Sequence, residues 1–255
     1  SYADRAALLS SIADTLVANR DRYFEIAQAN SGNTKIDAAI DIDGGSGTLK
    51  YYSAVGKGLG DAHYLRDGGF ERFGKDDTFQ AIHIRVPIEG VAVHINAFNF
   101  PSWGLWEKVA CALLSGVPVL AKPATATALL SYEMVKDVIA AGNVPEGALN
   151  LICGSARDLL DHVDRRDAIA FTGSADTANL LRSNPNVIKN SVRFNAEADS
   201  LNTSLLGPDA KAGSPEFDLF VREVGREMTI KAGQKCTAIR RAFVPRALMD
   251  DVAQA

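Results

Sequence analysis

The 255-residue sequence holds five short segments whose side chains suit covalent or acid–base chemistry. In Gly233-Gln234-Lys235-Cys236-Thr237 a thiol follows a glycine-bearing turn and neighbours a lysine, a setting in which the nucleophilic thiolate forms more readily. The ordinary role of a cysteine is that of a small buried hydrophobe. That role is the reading for Cys111, inside an apolar helical run, and for Cys153, at a strand end. Glu197 follows a strand tip in a mostly apolar stretch. An acid so enclosed holds its proton more tightly and can serve as a general base, although by itself it also reads as a salt-bridged surface acid. Asn99, between Phe98 and Phe100, offers an amide to a developing oxyanion, or merely closes a turn. Lys122 precedes Pro123 and would reach a ribose or phosphate, whereas a lone lysine is ordinarily solvated. Thr172-Gly173-Ser174 would bring backbone amides to a pyrophosphate. Neither GxGxxG nor GxxxxGK[ST] occurs, so the usual dinucleotide fingerprint and the P-loop are both missing.

These segments need a frame. Short apolar runs predict strands at Val91–Ile95, Pro118–Lys122, Leu149–Cys153, Ala168–Thr172 and Val192–Ala196. Between them, helical spacing covers Trp103–Leu114, Thr127–Ala141, Ala156–Val163 and Ser174–Leu181. Strands without polar alternation, joined by helices, predict an α/β fold with a doubly wound parallel Rossmann-like sheet. In such a sheet ligands sit at the carboxyl ends of the strands, where Asn99, Lys122, Thr172-Gly173-Ser174 and Glu197 fall, while the Cys236 segment comes from the region that follows. Upstream, residues 3–30 predict one helix, with Leu8, Leu9, Ile12, Leu16, Tyr23 and Ile26 on its apolar side. Residues 35–58 predict another, broken at Gly44-Gly45. Alternation over Thr78–Val86, a turn at Pro87-Ile88-Glu89-Gly90 and the strand Val91–Ile95 predict a hairpin-like entry to the sheet. Downstream, Ser204–Leu206 and Ala242–Val244 read as strands around a helix at Glu216–Ala232. The expected organisation is an N-terminal helical region (1–77), a hairpin-like arm for oligomerisation (78–90), a dinucleotide-binding domain (91–202) and the start of a second α/β catalytic domain (203–255). Both ends read as cut, which suggests a piece of a longer protein.

Hydrophobic residues make up 47% and charged residues 23%, the balance of a globular domain and not of a disordered chain. No apolar run is long enough to span a membrane. The net charge of −4 argues against a nucleic-acid partner. Three widely spaced cysteines without a CxxC pair argue against a disulfide framework or a zinc site, and favour a reducing compartment. With no cleavable leader in view, a cytoplasmic location is the expectation.

Asn99-Phe100-Pro101, Lys122-Pro123-Ala124, Phe171-Thr172-Gly173-Ser174, Glu197 and Gly233-Gln234-Lys235-Cys236 follow one another in the order and approximate spacing of the aldehyde dehydrogenase superfamily. The chain resembles that family over most of its length. The stretches His94–Pro101 and Glu197–Asn202 resemble a narrower branch, the dehydrogenase domain of the bifunctional ring-opening proteins of phenylacetate degradation (oxepin-CoA hydrolase and semialdehyde dehydrogenase). A cousin of that branch acts on a semialdehyde of the aerobic benzoyl-CoA route.

The resemblance implies oxidation of an aldehyde, here a CoA-linked semialdehyde, to an acid. It assigns Cys236 as the nucleophile that forms a thiohemiacetal and then, after hydride transfer to a nicotinamide, a thioester. It assigns Asn99 and the backbone N–H of Cys236 to the oxyanion, and Glu197 to the water that hydrolyses the thioester. Lys122, Thr125, Phe98, Gly173 and Ser174 become cofactor contacts. Relatives that prefer NAD often carry Glu where this chain has Thr125. A carboxylate there would repel a 2′-phosphate, so NADP is expected in preference, with NAD possible. A second departure is Glu197-Ala198-Asp199-Ser200 in place of Glu-Leu-Gly-Gly. Family members are about twice this length and oligomerise, so a homo-oligomer is expected of the full-length protein, while the activity of this stretch alone stays open. Two other functions compete: a cysteine-dependent esterase or acyl-transfer enzyme without hydride transfer, and a non-catalytic nucleotide-binding module. Neither the dinucleotide contacts at Lys122 and Gly173-Ser174 nor the nucleophile at Cys236 would be needed by both of these.

Overall fold

A computed structural model describes residues 1–156 and 158–255 of the chain. It divides into two compact units, Ser1–Glu197 and Ala198–Ala255.

The first unit begins with three helices, α1 (Tyr2–Ala18), α2 (Arg20–Ser31) and α3 (Lys35–Leu59). The single helix expected over 3–30 is two, parted at Asn19, whose φ of −103° and ψ of 11° interrupt the helical run. A left-handed Gly32 closes α2, and Thr34 caps α3 by accepting from the Asp37 N–H. The break expected at Gly44-Gly45 is absent, and α3 runs through both. Each glycine weakens a helix by about 1 kcal/mol relative to alanine. Here packing decides: a Cβ on Gly44 would come within 2.4 Å of the Trp103 ring, and one on Gly45 within 2.8 Å of Ser102 Oγ. The glycines let α3 lie close against the start of α4 (Trp103–Leu114).

Before α4 come β1 (Leu65–Arg72) and β2 (Gln80–Arg85), which pair antiparallel with each other. The hairpin therefore closes backwards onto β1 and does not lead into the sheet through β3 (Ala92–Ile95), as the sequence suggests. After α4 follow β4 (Val119–Lys122), α5 (Ala128–Ala140), β5 (Leu149–Leu151), β6 (Ala168–Gly173), α6 (Ala175–Arg182), α7 (Pro185–Lys189) and β7 (Arg193–Ala198). In place of the helix expected over 156–163 the described residues form only a 3₁₀ turn, Leu159–Asp161.

The sheet order is β5-β4-β3-β6-β7, with β3 to β6 parallel to their neighbours. All four residues of β3 are buried. Successive strands step outward on one side of β3 and then resume on its other side with β6. This is the doubly wound arrangement, and its switch point lies between β3 and β6. One apolar core joins α1 to α5 with β3, β4 and β5, around the fully enclosed Trp106, Tyr23 and Leu105.

In the second unit β8 (Asn202–Leu205) and β9 (Ile239–Phe243) pair in parallel. The connection between them holds α8 (Pro215–Thr229), and α9 (Met249–Gln254) follows β9. Leu206, Phe217 and Phe220 form its small core. Among the described residues no helix is long and apolar enough to cross a membrane.

Candidate active site

The carboxyl ends of β3, β4 and β6 carry three of the sequence-nominated segments. Asn96 to Ser102 link β3 to α4, and Asn99 is half-buried midway along that link, beside an exposed Phe98. The link is tightly held. Thr127 Oγ1 donates to the Phe98 carbonyl at 2.9 Å, and Ser131 Oγ donates to the Pro101 carbonyl at 2.7 Å. Lys122 ends β4, half-buried, with its ammonium donating to the Pro123 carbonyl at 3.1 Å. Thr125 opens a 3₁₀ turn just beyond and is exposed.

β6 ends in Thr172-Gly173, and Ser174 caps α6, its hydroxyl accepting from the Thr177 N–H at 3.2 Å. A Cβ on Gly173 would fall 2.5 Å from the Phe171 ring, so any side chain there would press on that ring. The dinucleotide contacts nominated from sequence thus lie at the edge where an open parallel sheet takes such a ligand, next to an exposed helix N-terminus. In those respects the residues fit the group.

Glu197 lies on β7 and accepts from Thr172 Oγ1 at 3.3 Å. The apolar enclosure expected around it is not found: the side chain is exposed. Glu197 also lines an open groove of about 780 Å³ that runs along the sheet and α4 past Thr48, Tyr52, Trp103, Glu107 and Cys111. His94 faces the same groove from β3. It is 3% exposed, Nδ1 has no hydrogen-bond partner among the described residues, and burial, with Lys108 as a lesser cause, pushes its pKa down to about 4. The Cys111 thiol hydrogen-bonds the Tyr52 phenol and pushes it up to about 12. Cys111 and Cys153 are both exposed, which corrects their expected burial: Cys111 sits on the groove side of α4, and Cys153 lies two residues past the end of β5.

Cys236 belongs to the second unit, where it is exposed in a turn closed by Ala238 N–H donating to the Lys235 carbonyl at 3.0 Å. Ser200 Oγ and Asn202 Nδ2 both donate to the Cys236 carbonyl, tying the turn to the start of β8. Upstream, Lys231, Ala232 and Gly233 adopt left-handed backbone in succession, at φ of 52°, 54° and 73°. The Gly233 carbonyl accepts from Arg240 Nη2 at 2.8 Å. The Lys235 ammonium, expected as the cation beside the thiol, is instead held by both oxygens of Glu227 at 2.7 and 2.8 Å.

Sequence reasoning passed over the residues that hold these segments in place: Thr127, Ser131, Ser200 and Asn202, and Asp41 on α3. One signal was available for Asp41. It falls among Ala38, Ile42, Gly45 and Leu49, the buried face of its helix, where an acid has to be bonded to something.

Comparison with known proteins agrees with this architecture. The chain is 57% identical over 256 residues to a 3,4-dehydroadipyl-CoA semialdehyde dehydrogenase of Aromatoleum evansii, covering 99% of this chain and 50% of that protein. Among solved structures it superposes on a succinate-semialdehyde dehydrogenase from Burkholderia pseudomallei with a TM-score of 0.86 at 24% identity, covering 100% of this chain and 50% of the other. It superposes likewise on a succinic semialdehyde dehydrogenase from Streptococcus pyogenes, solved with NADP+, with a TM-score of 0.83 at 21% identity, covering 99% and 52%. The last two likenesses establish the fold. The chain spans about half the length of the relatives it matches. The match to the aldehyde dehydrogenase family runs from residue 1 to residue 255, and the chain belongs to that family.

Proposed function

We propose that the complete protein oxidises an aldehyde to a carboxylic acid with a nicotinamide dinucleotide, and that the aldehyde is a CoA-linked semialdehyde of aromatic-acid breakdown. The observation that carries this reading is the 57% identity to the Aromatoleum evansii CoA-semialdehyde dehydrogenase over 99% of the chain. The Cys236 thiolate adds to the aldehyde carbon, and the Asn99 amide with the Cys236 N–H stabilises the resulting oxyanion. A nicotinamide dinucleotide, when bound, supplies the hydride acceptor. Loss of hydride leaves a thioester on Cys236. Glu197 takes a proton from water, the hydroxide adds to the acyl carbon, and the acid departs as the thiolate is restored. The exposure of Glu197 suits this role, because its carboxylate must meet water.

Lys122, Gly173, Ser174 and Phe98 would hold the dinucleotide at the switch point. Thr125 supports NADP over NAD, since no carboxylate stands there to repel a 2′-phosphate. The β1–β2 hairpin supports homo-oligomerisation: Phe70, Phe73, Phe79 and Ile84 are all exposed along it, an apolar surface that a second copy would cover.

The test is the complete protein with a CoA-linked semialdehyde, followed by the absorbance of reduced cofactor. Wild type should form reduced cofactor, and Cys236→Ala should abolish it while dinucleotide binding persists. Turnover near wild type in that variant refutes the nucleophile. Hydrolysis of a thioester or ester with no dependence on the dinucleotide would instead support the esterase reading.

A further inference from the structure

We propose that Asp41 is the positioning residue for Asn99, resting on the reading of Asn99 as the oxyanion donor. The first turn of a helix has N–H groups without partners in the helix, and a side chain at the N-cap usually meets one of them. The N-cap of α4 does not: Ser102 has helical backbone angles (φ −88°, ψ −63°) and makes no side-chain cap bond among the described residues. Asp41, 61 residues upstream on α3, takes over that role. Its carboxylate accepts from the Ser102 N–H at 3.2 Å through each oxygen, and from the Trp103 N–H at 2.7 Å.

Asp41 and Ser102 are both 0% exposed. A carboxylate withdrawn from water is costly unless it is hydrogen-bonded, and a negative charge at a helix N-terminus is favoured by the helix dipole. Gly44 and Gly45 stand three and four residues on from Asp41 and leave α3 free of Cβ atoms where it meets Trp103 and Ser102. With the bonds from Thr127 to Phe98 and from Ser131 to Pro101, the backbone is gripped one residue before Asn99 and at two to four residues after it. The Asp41 contact is the part of this grip that comes from α3. Without it the link can shift along α4, and the Asn99 amide moves off the position of the oxyanion. Misplacement of about 1 Å costs up to roughly 100-fold in rate.

The experiment measures the burst of reduced cofactor in single-turnover mixing of the complete protein, together with dinucleotide affinity and thermal unfolding. Asp41→Ala should slow the burst by roughly 10- to 100-fold, with dinucleotide affinity unchanged within about threefold. Asp41→Asn, whose amide oxygen still accepts the backbone N–H groups, should recover most of the rate. Asn99→Ala should slow the burst by roughly 100-fold or more, and Asp41→Ala added to it should slow it no further. Should Asp41→Ala fail to fold, Asp41→Glu, which shifts the carboxylate by one methylene, takes its place and should show the same lack of additivity. The proposal is overturned if the burst is unchanged in a folded Asp41 variant, or if the Asp41 and Asn99 losses multiply. An unaffected burst in Asn99→Ala overturns the oxyanion reading itself, and with it the proposal.

Discussion

Two glycines nine residues apart on α3 should respond to alanine with opposite signs. At Gly47 a Cβ would meet nothing within 4 Å. Gly47→Ala should therefore gain the helix-propensity difference alone, about 1 kcal/mol. At Gly56 a Cβ would lie 2.5 Å from Leu114 Cδ1, 2.9 Å from Ala6 Cβ and 3.2 Å from the Tyr2 carbonyl. Contact between carbons is comfortable at about 3.5–4.0 Å, so α1 would have to retreat by roughly 0.6–1.1 Å. Ala6 is 0% exposed, and its carbonyl accepts from the buried Ser53 Oγ at 2.7 Å, one turn from Gly56. Overpacking costs about 1–3 kcal/mol and the stretched hydrogen bond up to about 1. Against the same propensity gain, Gly56→Ala should lose up to about 3 kcal/mol net. For a chain of this size 1 kcal/mol moves Tm by about 2–4 °C. Differential scanning calorimetry should place Gly47→Ala about 2–4 °C above wild type and Gly56→Ala up to about 12 °C below it. A rise in both variants would refute the argument that the α1–α3–α4 packing is too close to admit a methyl group.

Three further outcomes are expected. His94 has its pKa lowered by burial to about 4, below an unfolded value near 6.5. The unfolded chain therefore binds more protons between those values, and stability is lost as pH falls through that window, by up to about 3 kcal/mol. Denaturation midpoints followed across the window should show the loss in wild type and a much flatter profile in His94→Leu; equal slopes would remove His94 as its source. In Glu197→Gln the burst of reduced cofactor should persist while steady turnover falls by roughly 100-fold or more; disappearance of the burst would mean that Glu197 acts before the thioester forms. Thr125→Glu should move the ratio of kcat/KM values towards NAD by about fivefold or more, since like charges about 4 Å apart cost about 1 kcal/mol even in water; an unmoved ratio would refute the account of this strand end.

What the sequence disclosed follows from the range of the interactions involved. β3 and β4 were legible because strands buried in the middle of a sheet read as unbroken apolar runs. The ends of those strands and of β6 were legible too, and with them the positions of Asn99, Lys122 and Ser174. The path of α3 was not, because local propensity argues against Gly44 and Gly45 and only the approach of Trp103 and Ser102 explains them. The pairing of β2 was misjudged because strand alternation tells which residues pair but not with what, and β1 contains Gly68 and Gly69, which mask it as loop. Asp41 escaped notice because its partners lie 61 and 62 residues away. The exposure of Cys111 depends on which face of α4 meets the core, and an apolar run such as Val109 to Leu114 leaves that face undetermined.

The left-handed run before the cysteine turn has a consequence for how this part of the chain breathes. Lys231 and Ala232 each carry a side chain in a conformation that costs about 1–2 kcal/mol, whereas Gly233 tolerates it freely. The segment is thus stretched by roughly 2–4 kcal/mol and held by a few bonds, chiefly Arg240 to the Gly233 carbonyl and Ser200 and Asn202 to that of Cys236. Opening it releases that tension, so it should part from the rest of the second unit well before α8 unwinds. In hydrogen–deuterium exchange the amides of Gln234 and Ala238 should lose protection ahead of those in the middle of α8. Ala232→Gly should slow their exchange by roughly 5- to 30-fold, as relief of about 1–2 kcal/mol predicts, so that a single residue sets how tightly the turn bearing Cys236 is wound.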